Sequence, residues 1–266
     1  MDRQILWDCH MHSSFSADSD TPMEVMIHRA VETGLQGITF TEHLDPDYPV
    51  TPDNLDFSLD KLAELSDIYK DKIQVRFGIE LGLQMHLGEY FDSLLSQTPF
   101  DFVIGSSHLV HGYDPYYPEF FEGRKEFLCY MEYFESILEN ISAYDGFDVY
   151  GHIDYVVRYG PNKNREYSYG RYKDILDEIL KKLISMGKGI ELNTGGYHYG
   201  LGEPNPCTAV IRRYRELGGE IITIGADAHT PDKIACAFDK AASVLEACGF
   251  RYYTIFKDRK PEFISL

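Results

Sequence analysis

The chain of 266 residues carries 25 Lys and Arg against 43 Asp and Glu, a formal net charge of −18, with 44% hydrophobic and 26% charged residues. That length can bury a sizeable core, and the ordinary apolar-to-charged balance excludes a disordered or low-complexity chain. The acidic surface makes nucleic acid a poor partner, and no apolar run approaches the roughly 20 residues of a membrane helix.

Five cysteines (Cys9, Cys129, Cys207, Cys236 and Cys248) are scattered without a CxxC pair. An odd, unpaired set in a chain this long predicts reduced thiols and a cytoplasmic location. The first residues, Met1-Asp2-Arg3-Gln4, run straight into an apolar strand and leave no room for a signal peptide.

A first strand is expected over residues 4–9, ending in Asp8-Cys9-His10-Met11-His12. Residues 23–33 have helical apolar spacing at Val25, Met26, Ala30 and Val31, with Gly34 as the stop. A strand over 37–41 leads to a Pro- and Asp-rich loop over 45–56, with Pro46, Pro49 and Pro52, and a helix over 59–69. A strand over 73–80, a helix over 87–96 and a strand over 101–105 follow. The loop 111–123 is acidic and aromatic. A long helix over 125–144, a strand over 147–151, a basic and aromatic loop over 158–169, a helix over 172–185 and a strand over 188–193 come next. After the Gly- and Pro-rich stretch 194–206 come a helix over 208–217, a strand over 220–225, a helix over 231–248 and an apolar run, 252–256, expected as an edge strand. About seven β-then-α units predict a parallel sheet in one domain spanning 1–266. Periodicity also allows an open doubly wound sheet. Residues from the first and last strands must share one site, which argues for closure into a barrel.

The β-rich runs share an ending. Residues i and i+2 of a strand face the same way, so His10 and His12 form half a metal site, and the side chain of Cys9 between them faces elsewhere. Later runs end in Glu42-His43, Glu80, Ser106-Ser107-His108, His152 and Asp227-Ala228-His229. One histidine at a strand end is more often structural. Six of the ten on one rim, with Glu80 and Asp227, point to a metal centre. Eight or nine ligands are too many for one ion and suit two or three divalent ions bridged by a carboxylate, an arrangement used to transfer phosphoryl groups to water. Such donors accept zinc, manganese or iron alike. His28 reads as a packing or surface residue, and His86 and His111 carry no spacing signal. His198, in Gly195-Gly196-Tyr197-His198-Tyr199-Gly200, follows the sixth strand within reach of the rim.

Through His10-Met11-His12-Ser13, Thr41-Glu42-His43, Gly78-Ile79-Glu80, Ser107-His108, Gly151-His152-Ile153-Asp154 and Gly225-Ala226-Asp227-Ala228-His229, the sequence resembles the polymerase and histidinol phosphatase (PHP) family over about residues 5–235. Within that family it resembles the histidinol-phosphatases. The resemblance implies a distorted (β/α)7 TIM-like barrel with its active site at the C-terminal strand ends and three metals. By position it puts His10, His12, Glu80 and Asp227 on one ion, and Glu80, His108 and His152 on a second. His43 and His229 hold a third with Asp18, where relatives often carry His; Asp20 is the alternative. Arg158 matches a phosphate-gripping position, with an ordinary surface arginine as the alternative. The loop after the sixth strand often carries a basic residue, and here His198 occupies that region.

The implied reaction is hydrolysis of a small phosphomonoester, L-histidinol phosphate, by a hydroxide bridging two metals. Asp227 and Arg158 belong to the catalytic set, and a metal-bound water or His198 protonates the leaving group. The substrate's cationic end is assigned to the loop 111–123. There Asp114, Glu119 or Glu122 accepts from the ammonium, and Tyr116, Tyr117 or Phe120 packs on the imidazole. Rival readings are a phosphoesterase acting on nucleotides, oligonucleotides or phosphotyrosine, a non-catalytic metal-binding module, and a metal-dependent amidohydrolase. The absence of a lysine at the fourth strand counts against the last. The oligomeric state is not legible.

Overall fold

The computed structural model describes residues 5–48 and 59–266. Seven parallel strands form one sheet in sequence order: β1 (Trp7–Met11), β2 (Gly37–Leu44), β3 (Gln74–Gly82), β4 (Phe102–Ser106), β5 (Val149–Tyr150), β6 (Gly189–Asn193) and β7 (Ile222–Gly225). Helices α1 (Met23–Glu32), α2 (Leu59–Tyr69), α3 (Gly88–Gln97), α4 (Glu126–Ala143), α5 (Lys173–Ser185), a short α6 (Gly195–His198), α7 (Thr208–Glu216) and α8 (Phe238–Ala247) lie between and after them. The two outer strands meet. Met11 bridges Ala228 in parallel, His12 N donates to Ala228 O at 2.9 Å, and Asp227 N donates to His10 O at 2.9 Å. The sheet is therefore a nearly closed TIM-like barrel, as the shared site of the first and last strands requires. The start of the expected first strand, at residue 4, and Pro49 and Pro52 of the expected loop lie outside the described residues.

The helices are held by one apolar stripe each. In α5, Leu176, Ile179, Leu180 and Leu183 are buried, the i, i+3, i+4, i+7 spacing of a single face. Each such side chain contributes about 1.5–3 kcal/mol when buried, and Leu180→Ala would cost about 2–5 kcal/mol. Gly187, at φ +71°, ends the helix in the left-handed turn that favours glycine. No helix among the described residues is long and apolar enough to cross a membrane. All five cysteines are free thiols, and Cys9 is buried with its Sγ 4.0 Å from the Thr254 carbonyl oxygen.

Two expected elements differ. The run 252–256 is not an edge strand. It lies in β8 (Tyr252–Lys257), which pairs antiparallel with β9 (Lys260–Ser265) in a separate hairpin. A closed barrel leaves no edge to extend, and the hairpin crosses the N-terminal ends of the strands instead. Arg76 near the start of β3 donates to Phe256 O, Ile222 N at the start of β7 donates to Thr254 Oγ1 at 3.3 Å, and Arg259 donates to Asp148 Oδ2, just before β5, at 2.6 Å. The expected helix over 231–248 breaks into a turn at Pro231–Lys233 and α8. Ala235 and Ala237 adopt positive φ of 54° and 57°, and Ala235 N donates to Asp8 Oδ2 at 3.0 Å. That contact ties the segment to β1 and delays the helix to Phe238.

Candidate metal centre and phosphate cleft

Glu80, fully buried near the end of β3, divides its carboxylate between two sets of histidines. Oε2 lies 3.0 Å from His10 Nε2, 3.5 Å from His12 Nε2 and 3.1 Å from His43 Nδ1. Oε1 lies 2.9 Å from His152 Nε2 and 3.3 Å from His108 Nε2, and accepts from Ser106 Oγ at 2.6 Å. Asp227 Oδ1 completes the first set, at 3.6 and 3.5 Å from the Nε2 atoms of His10 and His12. A third set forms where Asp18 Oδ2 lies 3.0 Å from His229 Nε2 and 3.5 Å from His43 Nε2. Asp20 is exposed, while its neighbour Ser19 donates to the His229 carbonyl at 2.8 Å.

The donor chemistry fits cations. His10 Nδ1 donates to Glu191 Oε1 at 2.6 Å, which turns its Nε2 toward the Glu80 carboxylate and toward His12 Nε2 at 3.1 Å. His12 Nδ1 is engaged by Ser16 Oγ at 3.1 Å, and His108 Nδ1 by both oxygens of Asp45 at 3.0 Å. Imidazoles and carboxylates packed this closely need positive charge between them, from protons or from metal ions. A divalent ion between them converts the same array into ligands held from behind by hydrogen bonds. Five carboxylates, of Asp18, Asp45, Glu80, Glu191 and Asp227, converge on these histidines, and Arg158 pairs with one of them.

The protonation states divide the array. Burial lowers His10, His43, His108 and His229, but the carboxylates facing them outweigh it and hold all four above the usual imidazole range, positive charge that an ion would replace. Burial raises Glu80 and Asp227, but the surrounding histidines, joined by Arg158 at Asp227, outweigh it and hold both well below the usual carboxylate range. Burial pushes His12 and His152 below the usual imidazole range, with His43 and His229 adding to the effect at His12. Those two rings are neutral, the form in which imidazole binds a metal.

The residues behind the histidines were not singled out in the sequence. Asp45 follows His43 by two residues, and Asn193 follows Glu191 by two at the end of β6, so both pairs carry the same period-2 signature as His10 and His12. Glu191 also accepts from His152 N at 3.1 Å. Two glycines make room: a Cβ on Gly225 would stand 2.3 Å from His10 Cβ, and one on Gly82 only 1.6 Å from Asp45 Oδ1. Glu42 accepts from Ser13 Oγ and Ser16 Oγ, both at 2.6 Å, and so secures the loop that leads to Asp18.

Above these groups opens a cleft of about 450 Å³. Arg158 is buried in its wall rather than exposed on a surface loop. Tyr155, Tyr159 and Tyr199 line it beside Arg158, and Tyr48, Asp114, Tyr116 and Tyr117 line it from the other loops. Asp114 accepts from Tyr48 Oη at 2.8 Å and from Tyr116 N at 2.7 Å. The other expected contacts are placed elsewhere. Glu119 and Glu122 are exposed and do not line the cleft, and Phe120 is buried in the core. His198 is exposed with its ring 4.9 Å from that of Tyr199, which takes the place in the wall.

A family model described as the PHP domain matches residues 8–195. The chain belongs to the PHP domain family. It is similar to histidinol-phosphatases. That of Lactococcus lactis subsp. lactis is 31% identical over 260 residues, 95% of either chain. A probable histidinol-phosphatase of Clostridium acetobutylicum is 32% identical over 250 residues, 93% of this chain and 95% of that one. The crystal structure of the Lactococcus lactis histidinol phosphate phosphatase, complexed with zinc, L-histidinol and phosphate, matches with a TM-score of 0.90 at 30% identity, covering 96% of this chain and 98% of that one. The putative histidinol phosphatase of Listeria monocytogenes shares the fold at a TM-score of 0.76 and 18% identity, covering 88% and 99%. The PHP domain match stops short of Asp227 and His229, which reach the site only because the barrel closes.

Proposed function

We propose that this chain is a metal-dependent phosphomonoesterase that hydrolyses L-histidinol phosphate to L-histidinol and phosphate, the whole of 1–266 acting as one domain. The observation that carries this reading is the divided carboxylate of Glu80, set between two histidine clusters beside a buried arginine. The similarity to histidinol-phosphatases, one of them complexed with zinc, L-histidinol and phosphate, supports the substrate.

His10, His12, Glu80 and Asp227 would hold one ion, Glu80, His108 and His152 a second, and Asp18, His43 and His229 a third, each zinc, manganese or iron. Such ions activate water near neutral pH and offset the charge of the phosphate. The chain's own groups do the rest. Arg158 donates to equatorial phosphate oxygens, whose charge it stabilises without reorganising because it is already fixed. Glu191, Asp45 and Ser16 hold the rings of His10, His108 and His12 in one orientation. The tyrosines around Arg158 limit water in the cleft. Asp114 is the acidic group that faces the cleft from the loop 111–123, and it is assigned to the substrate ammonium, with Tyr116 and Tyr117 beside the imidazole. The free thiols support a reducing, cytoplasmic setting.

Steady-state kinetics on L-histidinol phosphate, a nucleoside monophosphate and an aryl phosphate test the reading. The highest kcat/KM is expected on L-histidinol phosphate. A preference for the nucleotide would replace the substrate, and no turnover of any of the three with zinc, manganese or iron supplied would remove the activity.

A further inference from the structure

Arg158 is held from every nitrogen. Nη1 donates to Asp227 Oδ2 at 2.9 Å, Nη2 to Asn193 Oδ1 at 2.9 Å and Nε to Asn205 Oδ1 at 2.8 Å. The rings of Tyr155 and Tyr199 lie 5.3 and 4.8 Å from the guanidinium carbon. A guanidinium has five N–H donors. The protein engages three, which leaves two for an anion in the cleft that Arg158 lines.

Asn205 is itself fixed. It is fully buried, its backbone pairs with Asn193 through two 2.8 Å hydrogen bonds, and its Nδ2 donates to Asp154 Oδ1 at 2.6 Å. Asp154 is anchored in turn by Cys207 N at 2.8 Å. With Nδ2 committed to the carboxylate, the amide oxygen has one orientation, toward Arg158. Asn193 differs, because its Nδ2 also donates to Asp227 and Glu191 and so reaches the metal centre. Among the described residues the side chain of Asn205 bonds to Arg158 and Asp154 alone, and neither is a candidate ligand.

We infer that Asn205 is a positioning residue for the phosphate: its amide oxygen, oriented by Asp154, turns the guanidinium of Arg158 so that the two remaining N–H groups meet the transferred phosphoryl group. The inference rests on the phosphatase reading only for the role of Arg158. A bidentate grip depends on orientation as well as charge. Releasing one of three anchors lets the fork swing, and a misplacement on the order of 1 Å costs up to ~100-fold in rate.

The test uses the metal-loaded full chain, with inorganic phosphate affinity by calorimetry, kcat/KM on L-histidinol phosphate and on an aryl phosphate, and metal content. Asn205→Leu keeps the volume and removes the amide. It is expected to weaken phosphate binding and to lower kcat/KM by ~10- to 100-fold on both substrates, with metal content unchanged. Asn205→Asp combined with Asp154→Asn exchanges donor and acceptor between the two side chains, keeps an acceptor for Nε, and is expected to retain more of the phosphate affinity than Asn205→Leu. In an Arg158→Ala background, Asn205→Leu should cost nothing further, since the two residues act as one unit. If the leucine variant does not fold, Asn205→Ala takes its place in the same comparison. The inference is overturned if the wild-type protein binds no phosphate, if the leucine variant and the exchanged pair lose equally, or if the leucine loss carries undiminished into the Arg158→Ala background. Wild-type preference for the aryl phosphate would sink the substrate reading and leave this one standing.

Discussion

Asp227 pairs with Arg158 through Oδ2 at 2.9 Å while its other oxygen faces His10 and His12. One carboxylate thus joins the histidine rim to the buried arginine of the cleft, and damage to either side is felt by the other.

Arg158→Ala therefore has two effects. Losing a charge-assisted contact to phosphate is expected to cost about 1.5–3 kcal/mol in kcat/KM. Leaving the buried Asp227 without its arginine should also lower Tm. Arg158→Lys restores the charge without the fork, so it should recover more Tm than kcat/KM. Equal recovery of both would mean that charge alone matters.

Glu80→Gln removes the charge that both histidine sets share. The variant should keep the barrel by circular dichroism yet bind fewer ions by elemental analysis and lose nearly all turnover. Full metal content with near-native rates would end the bridging role.

Chelation should destabilise the fold. The buried imidazoles and carboxylates around Glu80 need positive charge between them, and an ion that binds the folded state at 1,000 times its Kd contributes about 4 kcal/mol. Tm should rise with added zinc in a concentration-dependent way. A Tm indifferent to chelator would mean that protons balance the site instead.

Asp114→Asn should lower kcat/KM for L-histidinol phosphate and spare an aryl phosphate that has no ammonium. Glu119→Gln and Glu122→Gln should spare both, because neither lines the cleft. Equal losses on both substrates in Asp114→Asn would assign Asp114 to loop structure through Tyr48 and Tyr116.

Away from the site, Arg213 grips Asp177 with two bonds of 2.9 and 2.7 Å, and this contact, aided by Tyr169 against the opposing effect of burial, brings the Asp177 carboxyl down to about 2. A depressed value contributes stability above the ordinary carboxylate range that is lost as pH falls from about 4 toward 2. The Tm gap between wild type and Arg213→Ala should be widest near pH 6 and narrower at pH 3. A gap that does not change with pH would make the contact a packing one.

The rim was legible because strand periodicity is local. His10 and His12 declare a shared face within three residues, and the β-rich runs before Glu80, His108 and His152 announce strand ends. Asp45, Glu191 and Asn193 carry the same signature, but what they do depends on a histidine from another strand. Asn205 had no signal at all: it sits in a Gly- and Pro-rich stretch without periodicity, and its partners lie 47 and 51 residues away. The helix expected over 231–248 failed for a related reason. Its breaking point at Ala235 is imposed by Asp8, 227 residues earlier.

The hairpin of β8 and β9 gives the molecule a sense of time. Synthesis runs from the first residue to the last, so all seven strands exist before residues 252–265 emerge to floor the barrel. Until then Arg76, Asp101 and Asp148 lack the partners they find at Phe256, Asp258 and Arg259. A chain that has emerged only as far as β7 is thus open at its base, where exposed strand ends are open to wrong pairing. A premature stop just before Tyr252 would release a chain that has every rim residue and no floor beneath them.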